Sequence, residues 1–209
     1  MNKLIIAGSG TGVGKTIVSA ILTTFLEGDY WKPIQCGCEK DADTAIIKSL
    51  VDMAKHHIYP PVYSLKAPLS PHHAARLEST TINLDTIIPP QTTRPLIIEG
   101  VGGIFVPLTT NILSFDLFKT WESRWVVVSK HYLGSINHTL LTIDILKQHR
   151  IPIAGIIFNG KPNPDSEAAI LEISNLPFLG RLLPEKNINL QTIQKYAKQW
   201  KPLLSKHLL

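Results

Sequence analysis

Short runs that are apolar at every position alternate along this chain with longer stretches of helical periodicity. Leu4-Ile5-Ile6-Ala7, Leu96-Ile97-Ile98, Trp125-Val126-Val127-Val128 and Ile153–Phe158 have no polar face. A strand buried on both faces belongs to a parallel sheet sandwiched between helices. Phe178–Leu182 adds another short run, and Tyr63-Ser64-Leu65 a short strand. Tyr30–Ile34 reads as one extended stretch, because the residue before Pro33 avoids the helical region. Helices are predicted over Ile17–Leu26, ending near Gly28, over Phe115–Trp121, Ile136–Gln148, Asp165–Ile173 and Leu190–Trp200. Ile46, Ile47, Leu50, Val51 and Ala54 recur at helical spacing and predict a helix over Asp41–His57. Ser70-Pro71 opens a short helix through Leu77, with proline at its first position. The pattern predicts a three-layer α/β/α fold with a mostly parallel central sheet. Residues 1–209 read as a single domain, and the proline patches near Pro60, Pro89-Pro90 and Pro162–Pro164 read as loops within it.

The first strand runs into Gly8-Ser9-Gly10-Thr11-Gly12-Val13-Gly14-Lys15-Thr16 and then a helix, the setting of a nucleotide phosphate loop. Glycines let successive N–H groups converge on one anion, and the helix dipole adds to their pull. Lys15 is expected to reach the β- and γ-phosphates and Thr16 to bind Mg²⁺. The strict spacing places four residues between the first glycine and Gly-Lys-Thr, whereas Gly8 stands one residue too early. A ligand-free strand-to-helix turn is the plain alternative. A lysine at a helix start is repelled by the dipole, which favours the phosphate reading.

Composition adds boundaries. The formal charge is +5 and the isoelectric point near 9.2, but only 18% of residues are charged and no dense Lys/Arg block appears. That balance suits anionic small molecules better than a nucleic-acid face, so no nucleic acid is expected as partner. Cys36 and Cys38, one residue apart, make neither a disulfide framework nor a zinc site. No apolar run reaches 18 residues and no signal peptide precedes the first strand, so a cytoplasmic protein without membrane contact is expected.

Ligands of open parallel sheets sit beyond the carboxyl ends of the strands. Glu99 closes Leu96-Ile97-Ile98 and is followed by Gly100-Val101-Gly102-Gly103, where backbone can approach a bulky anion. A carboxylate there can hold Mg²⁺ beside Thr16. Asp43 is either a second oxygen ligand or an acid favoured at a helix start. Lys32, at a strand end before Pro33, is either part of a dense positive site or an ordinary solvated lysine. Asn159 ends its strand and offers a donor and an acceptor together, as an adenine edge requires; capping the turn at Gly160-Lys161-Pro162 is its alternative role. His72 and His73 fit substrate contacts but not zinc. Ile136, Leu140, Ile143 and Leu146 make an apolar helix stripe that serves either the core or an interface.

Several blocks together resemble the dethiobiotin synthetases. They are Gly8–Thr16, Trp31-Lys32-Pro33 with Gly37, Asp43, Ser70-Pro71-His72, Glu99–Gly103 with Val106-Pro107-Leu108, Leu133–His138, and Asn159. They follow one another in family order over most of positions 1–185, and the family shares the lengthened phosphate loop. The resemblance implies a P-loop NTPase-like fold and an ATP- and Mg²⁺-dependent enzyme that closes a ring. Its substrate, 7,8-diaminononanoate, takes up CO₂ as a carbamate; ATP phosphorylates the carbamate, and the second amine displaces phosphate to give dethiobiotin. By carry-over, Gly12, Val13, Gly14, Lys15, Thr16, Ile17 and Asn159 bind the nucleotide, and Thr16, Asp43 and Glu99 surround the metal. Lys32 and Lys15 are catalytic. Lys32, Cys36, Ser70, Leu133, Gly134 and Asn137 contact the substrate, with the helix start at Gly134–Asn137 as anion binder. A homodimer is implied, which favours an interface near the 136–146 stripe.

Three departures stand out. Gly10 and Gly12 replace frequent acids, Cys36 a common serine, and Gly160 a frequent acid. They bear on nucleotide affinity and preference more than on reaction class. Two other P-loop classes share the same loop. An amidoligase of the cobyrinate type usually carries a glutamine-hydrolysing domain, for which 209 residues leave little room. A partitioning or metallochaperone ATPase usually has a further lysine near the position of Gly10, which this chain lacks.

Overall fold

Neighbouring residues of each apolar run point to opposite faces of one sheet, and the two faces bury separate cores. Leu4, Ile6, Ile97, Val126, Val128 and Ile157 lie in one core; Ile5, Ala7, Ile98, Val127, Ile156 and Phe158 lie in the other. The computed structural model describes residues 2–37 and 42–209. The first elements are β1 (Lys3–Gly8), α1 (Lys15–Phe25), β2 (Asp29–Trp31), β3 (Ile34–Cys36) and α2 (Asp43–Leu50). Then come β4 (Ile58–Tyr59), β5 (Tyr63–Leu65), α3 (Pro71–Leu77), β6 (Leu96–Glu99) and α4 (Ser114–Phe118). The chain continues through β7 (Arg124–Lys130), α5 (Ser135–Gln148), β8 (Ile153–Asn159), α6 (Pro164–Ser174), β9 (Phe178–Leu182) and α7 (Leu190–Leu208).

Seven strands form the central sheet in the order β4-β2-β6-β1-β7-β8-β9, and every pairing is parallel. Helices α1 and α7 cover the first core and α3, α4, α5 and α6 the second, giving the expected three layers. Register aligns the strand ends: Ile6 faces Glu99, Trp31 faces Ile98, and Asn159 lies between Lys130 and Leu182. The phosphate loop, Lys32, Glu99 and Asn159 therefore emerge at one edge.

Four sequence expectations change in detail. The helix expected over Asp41–His57 is only α2, since Val51 is extended (φ −118°, ψ 161°) and the Asp52 carboxylate accepts from Ala54 N. Past that turn the chain re-enters the sheet as β4, where His56 is buried against the Gly28 carbonyl. Asp41, like Cys38, lies outside the described residues. Tyr30–Ile34 splits at Lys32-Pro33: β2 joins the main sheet, and β3 pairs with β5 in a separate two-stranded sheet. Helix α4 spans only Ser114–Phe118, and α7 runs on to Leu208 through Pro202, its last carbonyls met by the Arg124 guanidinium. Of the 136–146 stripe, Ile143 and Leu146 are buried core and Ile136 packs against them, while Leu140 is half-buried and lies outside both cores. The buried part of the stripe therefore does not argue for an interface.

Candidate active site

Gly8–Gly14 turns the chain from β1 into α1 as a phosphate loop must. Gly12 and Gly14 have φ of 69° and 100°, left-handed values that side chains resist. At Gly14 an added Cβ would also come within 2.4 Å of Asn159 Nδ2, so this position is closed to other residues. Asn159 reaches across from β8 and donates Nδ2 to the Val13 carbonyl at 2.9 Å. One amide proton and the Oδ1 acceptor are left over, so the tether to the loop is compatible with base contact. Val13 is buried, and Ile17 is half-buried with its side chain packed against the core under α1.

Lys15 lies along the loop, its Nζ donating to the carbonyls of Gly10 (2.8 Å) and Gly102 (2.7 Å). It thereby ties the phosphate loop to the glycine-rich segment after β6. Burial lowers its pKa from 10.5 to about 8, with Lys32 adding to the effect and Glu99 opposing it. Thr16 Oγ1 is 2.5 Å from Asp43 Oδ1 and 3.1 Å from Glu99 Oε1.

Between the two carboxylates sits the Lys32 ammonium, 3.1 Å from Glu99 Oε1 and also bonded to Asp43 Oδ2. Lys32 is 6% exposed and Glu99 1%, which excludes a solvated surface lysine. Burial disfavours the Lys32 charge, but Glu99 and Asp43 outweigh it and its pKa lies above the ordinary lysine value. For Asp43, burial is likewise outweighed by Lys32 and by the Thr16 bond, so its pKa falls. A buried charge is costly unless paired and hydrogen-bonded. Glu99 meets that condition through Lys32, Thr16 and the Tyr30 hydroxyl, 2.8 Å from its Oε2. Burial, then Glu99, raise the Tyr30 pKa well above normal, so it remains a donor.

Tyr30 and Gln35 were missed from the sequence. Gln35 accepts from Asp43 N at 3.1 Å and donates to the Cys36 carbonyl, linking β3 to the start of α2. Tyr30 meets Glu99 only through the long-range pairing of β2 with β6, and the Gln35 bond to Asp43 N needs the chain to double back between β3 and α2; neither leaves a periodicity or motif in the local sequence. The structure gathers Thr16, Lys32, Asp43 and Glu99 into one hydrogen-bonded cluster, with Lys15 beside it on the Gly10 and Gly102 carbonyls and the Cys36 carbonyl joined through Gln35. Ser70 and the Leu133–Asn137 segment take no part in its hydrogen bonds among the described residues. Ser70 precedes α3 without a side-chain cap bond, and Leu133 is fully exposed at the start of α5. His72 and His73 diverge, their rings 6.3 Å apart, and His72 N donates to the Pro107 carbonyl.

A parallel sheet, a glycine loop leading into a helix, and a lysine–threonine–carboxylate cluster at the strand ends define a P-loop NTPase-like protein. A family model described as an AAA domain matches residues 2–192. The chain is 46% identical over 198 residues to an ATP-dependent dethiobiotin synthetase of Chlamydia abortus, covering 95% of this chain and 94% of that one. It is 43% identical over 201 residues to the Chlamydia pneumoniae enzyme of the same name, covering 96% and 90%. The chain belongs to the ATP-dependent dethiobiotin synthetase family. Among solved structures, the cell division ATPase MinD of Pyrococcus furiosus superposes with a TM-score of 0.61 at 15% identity, covering 97% of this chain and all of that one. A putative plasmid partition protein of Borrelia burgdorferi gives 0.62 at 12% identity, covering 98% and 96%. Those two likenesses show the fold alone.

Proposed function

We infer that this protein is an ATP-dependent dethiobiotin synthetase, converting 7,8-diaminononanoate, CO₂ and ATP into dethiobiotin, ADP and phosphate. The observation that carries this reading is the buried Lys32, fixed between Asp43 and Glu99, the same two carboxylates that the Thr16 hydroxyl meets. Glycines of the loop and the first turn of α1 (Gly12, Val13, Gly14, Lys15, Thr16, Ile17) bind the triphosphate, and Asn159 reads the base. One amine of the substrate takes up CO₂ as a carbamate. A carbamate oxygen attacks the γ-phosphorus as the bond to the β,γ-bridging oxygen breaks and ADP leaves; the second amine then attacks the carbonyl carbon, expels phosphate and gives up a proton. Lys32 and Lys15 stabilise the negative charge that spreads over the transferred phosphoryl group. Lys32 also holds the carbamate.

The cluster fits Mg²⁺. Thr16, Asp43 and Glu99 converge as an all-oxygen set, the donors a hard cation takes. The two lysines and two carboxylates are formally neutral together, so a polyanionic triphosphate needs a further cation to be held there. Mg²⁺ would be held by these three residues and by the phosphates, and it would supply that neutralising charge. Among the described residues no group of three His, Cys, Asp or Glu gathers elsewhere to compete.

Cys36, Ser70, Leu133, Gly134 and Asn137 are assigned to the diamine, the last three at the start of α5, where N–H groups of the first helical turn would take the carboxylate tail. A homodimer bringing this segment to a partner's site would cover Phe105, Leu133, Leu141 and Ile173, all large apolar residues exposed here. Residues 1–209 act as one domain, a cytoplasmic enzyme; no described helix is long and apolar enough to cross a membrane. ATP turnover tests the assignment. ADP release by the purified protein should depend on diaminononanoate and bicarbonate together, and ATPase activity indifferent to both would defeat it.

A further inference from the structure

Next to the strand end that carries Asn159 lies a closed circuit of charged and aromatic side chains that the chemistry above does not use. Its hub is Glu167, in the first turn of α6 and only 8% exposed. Glu167 Oε1 accepts from His131 Nε2 at 2.7 Å, from Asn163 N at 3.0 Å and from Arg181 Nη1 at 2.5 Å; Arg181 Nη2 donates to Oε2. His131 follows β7 directly and stacks on Phe158 of β8, ring centroids 5.5 Å apart at 20°. Phe158 stacks in turn on Phe178 of β9, at 6.0 Å and 21°, and the Arg181 guanidinium stands 5.8 Å from the Phe178 ring. The path therefore leaves α6, crosses β7, β8 and β9, and returns to α6.

Asn159 is the next residue after Phe158. Gly160 follows at φ 128°, its N–H donating to the Leu182 carbonyl, and a Cβ built on it would meet only the His131 ring, at 3.7 Å. Asn159 has two simultaneous tasks, bonding the Val13 carbonyl and presenting its remaining amide groups to a base. Such a double contact tolerates little displacement of the backbone that carries it. The ladder fixes the Asn159 backbone between Lys130 and Leu182 and runs on to the Gly160 N–H, but beyond that bond the chain leaves the sheet. Here Phe158 is clamped by a ring on either side, and the loop after Gly160 is fastened at Asn163.

We propose that Glu167, with Arg181 and His131, forms a positioning unit for nucleotide-base recognition, holding Asn159 where it spans the phosphate loop and the base. The proposal rests on the base-reading role assigned to Asn159. None of the three side chains touches the phosphate-loop cluster, so they act through Asn159 and not on the reacting atoms.

Calorimetric titration with MgATP and MgGTP separates this role from ordinary stabilisation. Wild type is compared with Glu167→Gln, Arg181→Lys, Asn159→Ala and the Glu167→Gln/Asn159→Ala pair. Thr92→Val serves as a stability control, because it removes the Asp29 bond at the other end of β2. Glu167→Gln is expected to weaken ATP about tenfold, as loss of a supporting hydrogen-bond partner does, and to narrow the ATP/GTP ratio. In the Asn159→Ala background its further effect should stay within about twofold. Arg181→Lys keeps the charge but not the fork, should move affinity the same way, and carries the test if Glu167→Gln fails to fold. Thr92→Val should lower Tm alone. If the Glu167 and Arg181 variants lower Tm but bind both nucleotides like wild type while Asn159→Ala weakens ATP, the unit is structural only and base reading stands. Losses that multiply in the double variant also overturn the proposal. An Asn159→Ala protein with unchanged affinities removes the base-reading role, and the positioning role with it.

Discussion

At the scale of single residues the account turns on two lysines in opposite electrostatic settings. Lys32 is held charged by Glu99 and Asp43, so Lys32→Ala should lower kcat by about 10²-fold or more, roughly 3 kcal/mol of transition-state stabilisation. Steady-state assays at saturating substrates check this, and unchanged turnover would remove Lys32 from the chemistry. Lys15 has no such carboxylate contact, and burial holds it at about 8 before nucleotide arrives. Phosphates favour its charged form, so below pH 8 it is already protonated. Above that value ATP must draw in a proton to bind. ATP affinity should therefore fall as pH rises from 8 toward 10, with proton uptake visible in buffers of different ionisation enthalpy; affinity flat across that range would contradict the assignment. The phosphate loop and Glu99 were legible in the sequence because a glycine turn and a charge closing an apolar run are local signals, whereas Lys32 and Asp43 each kept an ordinary alternative and drew their roles from the family resemblance. Tyr30 was not legible. Its hydroxyl meets Glu99 only because β2 and β6 pair across some 65 intervening residues. Tyr30→Phe should cost about 1–3 kcal/mol in denaturant unfolding, the usual penalty for depriving a buried carboxylate of one partner.

Among the elements, the strands were read well and the irregular joins less so. Continuous apolar runs marked β1, β6, β7 and β8 because burial on both faces leaves no polar alternation. The helical spacing of Ile46–Ala54 ran past the end of α2, since an Asx turn at Asp52 and the pull of β4 into the sheet override local periodicity. The Lys32-Pro33 step was seen as extended, but which sheet each half would join is a tertiary choice. Helix α6 offers an element-level test through Glu167. Burial raises its pKa, but Arg181, Asn163 N and His131 outweigh that and bring it from 4.5 to about 2. A depressed carboxylate stabilises the fold fully above its unfolded value and loses that contribution as pH falls through its folded one. Stability should thus drop between pH 4.5 and 2 more steeply in wild type than in Glu167→Gln. Parallel unfolding curves for the two proteins over that window would show that the carboxylate is not held by these bonds.

For the whole molecule, fold and family separate cleanly. The three-layer architecture is shared with partition and cell-division ATPases at 12–15% identity, so the sheet alone does not name a reaction. What singles out ring closure is membership of the dethiobiotin synthetase family; the part proposed for Lys32 beside Asp43 and Glu99 is tested by the Lys32→Ala assay above. The dimer is a prediction at this scale. Light scattering over a concentration series should give twice the chain mass of 23.2 kDa, and a constant monomer mass would reject it. The central claim is tested most directly by following the oxygen atoms of CO₂. In short reactions with ATP, Mg²⁺, 7,8-diaminononanoate and doubly labelled [¹³C,¹⁸O]bicarbonate, mass spectrometry should find ¹³C in the ring carbonyl of dethiobiotin. One ¹⁸O should stay on that carbonyl and one should pass to inorganic phosphate, as a phosphorylated carbamate requires. Unlabelled phosphate, or ADP formed without any ring-closed product, would contradict the account.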